Sequence, residues 1–234
     1  MRQVIIETEV WEKFPSCRRG ILIVRRMRNP LAEDEVAQLL EQQRIRRMSG
    51  ETLQDSAVLA WDEMHRRFGS NPNKFPPSIK SLLKRVGKGD QLPFINTVVA
   101  LFNVVSLKYL LPCGGDDLAA IGGDLRLGLA KGDERFLPLG GSEEEHPLPG
   151  EVIYYDGASR QVMCRRWNWR NGDFSKITER SERVVINIDG AEIVPTALLL
   201  AARDELAGWL ERICSAEVEA KLLTRRQPSQ VVDF

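Results

Sequence analysis

Histidine is scarce in this chain, with only 2 among 234 residues, and that limits the hydrolytic chemistry open to it. A serine or cysteine nucleophile needs a base beside it, most often histidine. His65 falls on the apolar side of a helical pattern, where a core role is expected. His146 follows Glu143-Glu144-Glu145 in a proline-bounded loop and is expected to be exposed. Cysteine is equally sparse. Cys17, Cys113, Cys164 and Cys214 form no C-x-x-C pair, which argues against structural zinc and a disulfide framework and for a reduced, cytoplasmic setting. No G-x-S-x-G elbow, P-loop or Rossmann glycine pattern occurs, and no His, Cys or carboxylate cluster has metal-ligand spacing. No apolar run reaches the ~20 residues of a membrane span. The run from Val98 to Val105 is broken by Asn103, and charged Arg2, Glu7 and Glu9 are unlike a signal peptide. Without a nucleophile–base pair, metal or cofactor, what remains is chemistry by positioned water and polar side chains.

Net charge is also lacking, at +0, but the charge is unevenly spread. Residues 1–100 carry 17 Lys/Arg against 12 Asp/Glu, and the remainder carries the opposite excess. A basic front half can contact phosphates even when the total is neutral. With 43% apolar residues the chain can bury one sizeable core. Val4–Ile6 and Ile21–Val24 read as buried strands, and a helix is expected from Pro30 through Leu40. Asp55 or Ser56 as N-cap and Gly69 past the end bracket a second helix bearing Val58, Trp61, His65 and Phe68. Asn71-Pro72-Asn73-Lys74-Phe75-Pro76-Pro77 cannot be helical. Ser78 is expected to cap the next helix, where Ile79, Leu82, Leu83 and Val86 keep helical spacing. Lys80, Lys84 and Lys88 form a basic line on another face of it. With Arg85, Arg66 and Arg67 they are candidate phosphate contacts, although a solvated face is the commoner meaning of such a line.

Asn96 to Leu107 reads as a central helix with Asn96, Asn103 and Ser106 along one side. Buried amides and hydroxyls need partners, so this stripe either stitches to loops or lines a pocket. Pro112-Cys113-Gly114-Gly115-Asp116-Asp117 reads as a tight acidic turn, with Asp117 as a possible cap for Leu118-Ala119-Ala120. Short strands are then expected at Asp124–Leu127, Phe136–Leu139, Glu151–Tyr155, Gln161–Cys164 and Val184–Ile188. Arg165, Arg166 and Arg170 interleave with Trp167-Asn168-Trp169. That mixture can stack bases and hold phosphates, or as a strand can bury one tryptophan and line a cavity with the other. An amphipathic helix follows from about 195 to 214, and the tail from Thr224 to Phe234 is expected to be loose. The class is α+β, an antiparallel β-sheet packed with several α-helices.

The order Ile95-Asn96, Asn103, Leu107, Pro112, Asp117-Leu118, Gly123, Arg126, Ala130, Gly132, Glu134 and Leu139-Gly140 resembles the B3/B4 module of the bacterial phenylalanyl-tRNA synthetase β subunit, which hydrolyses misacylated tRNA. Asn71 to Ile79 and Cys164-Arg165-Arg166-Trp167-Asn168-Trp169-Arg170 resemble free-standing B3/B4 proteins more closely. The resemblance runs from about Trp61 to Asp189. It implies one B3/B4 domain over 1–234, with a basic helical elaboration over about 1–90 and a C-terminal helix over about 195–214. Where the synthetase module has Pro-x-His-Ala-Phe-Asp, this chain has Gly114 for the histidine, Asp116 for the phenylalanine and Asp117 for the aspartate.

A carboxylate in place of an aromatic ring implies a cationic or guanidine-like substrate side chain. Free-standing relatives are trans-editing enzymes, one group of them associated with canavanyl-tRNA(Arg). The resemblance thus implies a cofactor-free aminoacyl-tRNA deacylase with mischarged tRNA, tRNA(Arg) first, as partner. Asn103, Ser106, Asp117 and Asn168 would orient ester and water. Gly114, Gly115, Asp116, Arg165, Trp167, Trp169 and Asp173 would bind substrate, and the basic residues named above would hold tRNA. Deacylation of another non-cognate aminoacyl-tRNA, or binding of tRNA or an amino acid without catalysis, are the alternatives.

Overall fold

A computed structural model describes residues 2–48 and 51–232. The chain runs β1 (Arg2–Ile6), α1 (Thr8–Lys13), β2 (Arg18–Arg25), α2 (Asp34–Arg46), a 3-10 turn (Glu51–Gln54), α3 (Ser56–Arg67), α4 (Ser78–Gly87) and α5 (Thr97–Tyr109). It continues through β3 (Cys113–Asp117), β4 (Leu125–Leu129), β5 (Val152–Asp156), β6 (Val162–Arg165), β7 (Arg170–Asn171), β8 (Val184–Gly190), α6 (Thr196–Cys214), β9 (Glu217–Leu223) and β10 (Ser229–Val232). One sheet has the order β10-β1-β4-β5-β6-β7 and the other β3-β8-β2-β9. Neighbouring strands pair antiparallel except β1 and β4, which run parallel. No helix among the described residues is long and apolar enough to cross a membrane.

Two strands and one helix carry most of the logic. β2 and β8 lie inside the four-stranded sheet, and both read as nearly continuous apolar runs because both their faces are covered. α5 buries nine of its 13 residues, so it is apolar almost all round and sits in the core between α2, α6 and β3. Its N-cap is Asn96, whose Oδ1 accepts from Val99 N–H at 3.0 Å while its amide donates to the Ile177 carbonyl at 3.1 Å. The Ser106 hydroxyl donates to the Leu111 carbonyl where Leu110 ends the helix in left-handed conformation. Two members of the polar stripe thus stitch loops, and Asn103 has no hydrogen-bond partner among the described residues.

Five expectations change. The segment Pro112–Asp117 is a strand edge rather than a tight turn, and neither Gly114 nor Gly115 has positive φ. Glycine serves there by letting β3 approach β8, since a Cβ on Gly115 would lie 2.8 Å from the Val185 carbonyl oxygen. Phe136–Leu139 makes only isolated bridges, Phe136 to Glu145 and Pro138 to Gly172, because Pro138 has no N–H to continue a ladder. Trp167-Asn168-Trp169 is the turn between β6 and β7 rather than a strand. The tail is ordered through Val232, since β10 pairs with β1; the last two residues lie outside those described. Ser78 is the first residue of α4 and not its cap. Pro77 holds that place, and the Ser78 amide donates to the Asn168 carbonyl at 2.8 Å.

Candidate active site

The β3–β8 ladder lays out the site. Asp116 faces Val185, Gly114 faces Asn187, and the Pro112 carbonyl accepts from the Asp189 amide. Opposed residues share a face, and alternate residues along a strand share it too. Asp116, Gly114, Asn187 and Asp189 therefore line one strip, with carboxylates at its two ends about 13 Å apart along the strand. A Cβ on Gly114 would meet nothing within 4 Å, so the strip opens into space at its middle. That space is a cavity of ≈110 Å³, closed by Ser78, Tyr154, Cys164, Trp167, Asn168 and Trp169.

The β6–β7 turn supplies the roof. Arg166 (φ 47°) and Trp167 (φ 64°) are both left-handed, a conformation that costs non-glycine residues about 1–2 kcal/mol each and must be held by its surroundings. Trp167 provides the hold. It is buried edge-on against Phe14 and Trp61, at centroid distances of 5.1 and 5.3 Å, and its indole donates to Asp189 Oδ2 at 3.1 Å. Asn168 is fixed through Oδ1, which accepts from His65 Nε2 at 3.1 Å. Burial pulls the His65 ring down to about 4, against the opposing pull of Asn168 and the Phe75 backbone, so the ring stays neutral near pH 7. The core histidine therefore orients a cavity residue. Trp169 packs edge-on against Phe75 at 4.7 Å, and Arg166 lies over the Phe75 ring at 3.8 Å.

At the far end Asp189 is heavily engaged. Oδ1 accepts from Arg19 Nε at 2.9 Å, and the Tyr154 hydroxyl donates to the two oxygens at 3.1 and 2.9 Å. The Arg19 guanidinium stacks over the Tyr154 ring at 4.3 Å. Asp116 has no such cation at hand. Burial pushes its carboxyl up to about 6, although Ser175, donating to Oδ1 at 2.6 Å, and the more distant Arg19 pull the other way. Three residues lining this cavity carry a buried atom without a hydrogen-bond partner among the described residues, Ser78 Oγ, Asn168 Nδ2 and Asn187 Oδ1. Unpartnered buried polar atoms are costly, and three around one cavity mark a place built for a polar ligand. Cys113 and Cys164 also border it, but burial raises both thiols well above their usual range, so neither is a thiolate at neutral pH. Among the described residues no group of three or more His, Cys, Asp or Glu is placed to hold a metal ion.

A second cavity of ≈390 Å³ adjoins the first, sharing Gly115, Asp116 and Asn171 with it. Asn103 lies in this outer cavity. The other expected site residues are elsewhere. Ser106 is tied to the end of α5. Asp117 accepts from Ala119 N–H at 2.9 Å and from Ser181, capping the turn that follows. Arg165 is held by Glu151 at 2.9 Å and Glu145 at 2.7 Å, and Asp173 by Lys176 at 3.0 Å. Lys80 is paired with Asp62, Arg66 with Glu63 at 3.3 Å, and Arg67 with Glu192 at 3.1 Å. Lys84, Arg85 and Lys88 are exposed. Four residues of the inner cavity or its support, Arg19, Tyr154, Asn187 and Asp189, were not singled out from the sequence. The signal that could have found two of them is Asn187 and Asp189 at i and i+2 in an otherwise apolar strand, which puts both polar groups on one face.

No curated protein matches this chain. An N-terminal fragment of the phenylalanyl-tRNA synthetase β-subunit from Pyrococcus horikoshii is similar to it at 14% identity and a TM-score of 0.47, over 92% of this chain and 49% of that one. The chain thus spans about half the length of that fragment. The family model of the B3/4 domain matches residues 60–224, most of the chain, and the protein belongs to the B3/4 domain family.

Proposed function

We propose that this protein is a trans-editing deacylase that hydrolyses the ester of a mischarged tRNA, with canavanyl-tRNA(Arg) as the first substrate to test. The observation that carries this reading is the small inner cavity, with a carboxylate at each end and three unpartnered buried polar atoms on the residues that line it. A cavity of this size suits an amino-acid side chain and little more. The Asp116 end opens to the outer cavity, so the ester sits there and the side chain runs over Gly114 toward Asn187 and Asp189. On this reading Asp116 sits at the ester end and Asn187 Oδ1 takes the N–H groups of the side chain's tip, Asp189 being already paired with Arg19.

Asn187 Oδ1 can only accept, which suits the N–H groups of a guanidine. Asn168 Nδ2 can only donate, which suits an oxygen partway along the side chain. Canavanine has such an oxygen, whereas arginine has a methylene there and would leave the Asn168 amide unpaired. Sites that hydrogen-bond a substrate atom reject analogues lacking it strongly.

In the reaction a water adds to the ester carbonyl, the bond to the ribose oxygen breaks, and the free amino acid and the tRNA hydroxyl are released. Asp116 accepts the proton of the attacking water and returns it to the leaving oxygen. The Asp117 amide turns away from β8 to the Ser175 carbonyl at 2.9 Å, and ladder alternation turns the Gly115 amide the same way. Gly115 N–H is the donor we assign to the developing oxyanion.

The deciding experiment follows ester loss from canavanyl-tRNA(Arg), arginyl-tRNA(Arg) and tyrosyl-tRNA(Phe) with purified protein in chelator. Selective loss of the canavanyl ester is expected. Stability of all three removes deacylation of these substrates, and equal loss of the canavanyl and arginyl esters removes the role given to Asn168.

A further inference from the structure

β9 is an edge of the four-stranded sheet, and the phase of the ladder fixes which of its backbone groups face outward. The Asp189 amide donates to the Pro112 carbonyl, so Val185, Asn187 and Asp189 of β8 turn their N–H and C=O groups toward β3. Ile186 and Ile188 therefore turn theirs toward β2, where they meet Leu22 and Gly20. Ile21 and Ile23 are left to bond β9, at Lys221 and Glu219. Val218, Ala220 and Leu222 thus point their N–H and C=O groups away from the sheet, and no backbone hydrogen bond reaches them among the described residues. Ala220 is exposed, and Val218 and Leu222 are half-buried.

Charged residues commonly guard such an edge against pairing. On β9 their signs instead repeat in self-complementary order about Ala220. Laid antiparallel on a second copy of itself and centred there, the strand sets Glu219 opposite the partner's Lys221 and Val218 opposite the partner's Leu222, each twice. Ala220 meets its own counterpart at the axis, where a small side chain lets the strands close. This register bonds the same three residues that face outward, through about six N–H to C=O contacts. It puts Glu219 and Lys221 at the positions between those bonds, where facing side chains stand closest. We infer that β9 is the interface of a two-fold homodimer, in which two four-stranded sheets join edge to edge. Within one chain Lys221 pairs with Glu219 at 3.0 Å and Arg25 pairs with it at 3.3 Å. In the dimer Lys221 turns to the partner's Glu219.

The test is sedimentation equilibrium of the full chain. A contact of one short strand is small, so a dissociation constant of about 1–100 μM is expected. Glu219→Lys or Lys221→Glu alone sets like charges together at both symmetric positions and should raise that constant about tenfold. Both changes in one chain restore opposite pairs and should return the constant to near the parent value. Ala220→Pro removes an outward N–H and spares the β2 ladder, so the chain should keep its far-ultraviolet circular dichroism yet stay monomeric. A parent protein that is monomeric throughout that range overturns the interface. A dimer that persists in folded Ala220→Pro does the same, as does a double charge variant no better than the single ones.

Discussion

Asp116 lies one residue before the end of β3, at the meeting point of two cavities, and burial pushes its carboxyl up to about 6. If it takes a proton from water, activity should rise as pH passes upward through about 6 and level off above it. Asp116→Asn should then lower kcat by about 10²–10⁴-fold on cationic and neutral esters alike and flatten that rise, as a pH–rate series would record. Loss confined to cationic esters would return Asp116 to side-chain recognition. The same group affects stability with the opposite sign. Its carboxyl is raised on folding, so its stabilising contribution is present below about 4, is lost as pH rises toward 6, and is absent at pH 7. Thermal unfolding of Asp116→Asn should therefore match the parent at pH 4 and exceed it at pH 7.

At this scale the sequence was legible where one residue's chemistry sufficed. Asn103 belongs to a polar stripe expected to stitch loops or line a pocket, and it borders the outer cavity; one of the two tryptophans is expected in the core, and Trp167 is fully buried. Asn187 and Asp189 were hidden because each side chain is a short interruption in an apolar strand. Arg19 was hidden because nothing in its neighbours announces a fully buried guanidinium. Arg165 and Asp117 point to chemistry in the sequence but are tied into ion pairs and a turn by partners distant along the chain.

The helices were the readable elements. Asp55 before α3, Asn96 before α5 and the 3.6-residue spacing of Ile79, Leu83 and Val86 in α4 are local signals, and each helix forms where they stand. β3, β9 and β10 were hidden. β3 is mostly glycine and aspartate, and β9 carries the charges typical of an edge strand, so neither has a strand's usual composition. Two predictions belong to elements. Gly115→Ala brings a Cβ against the Val185 carbonyl and should push β3 off β8, costing about 1–3 kcal/mol in chemical denaturation. On α4, Lys80 is already paired with Asp62 whereas Lys84 and Lys88 are exposed. Replacing Lys84 and Lys88 with alanine should weaken tRNA binding and shallow its salt dependence by about 0.9 per lost phosphate contact. Lys80→Ala should change the slope least. Slopes unchanged in all three would make α4 a solvated face.

Across the whole molecule, the two halves of the sequence do not map onto the two sheets. β1 and β2, close neighbours in the chain, enter different sheets, and α1 lies between them. The six-stranded sheet draws on β1, β4 to β7 and β10, and the inner cavity gathers residues from α4, β3, β5, β6, the β6–β7 turn and β8. Such long-range assembly is what periodicity cannot report, because a 3.6 or 2.0 repeat names a face and not its partner. It also makes the site sensitive to global stability. Because β10 covers the outer edge of β1, removing residues 229–232 should lower the melting temperature and, through the same sheet, loosen β5 and Tyr154. Substrate binding by that truncated chain should weaken in step.

The pairing of β1 with β10 bears on how the protein is made. β1 leaves the ribosome long before β10, one of its two partner strands. Until then an apolar strand waits with one edge open, a target for chaperones and a seed for aggregation if synthesis stalls.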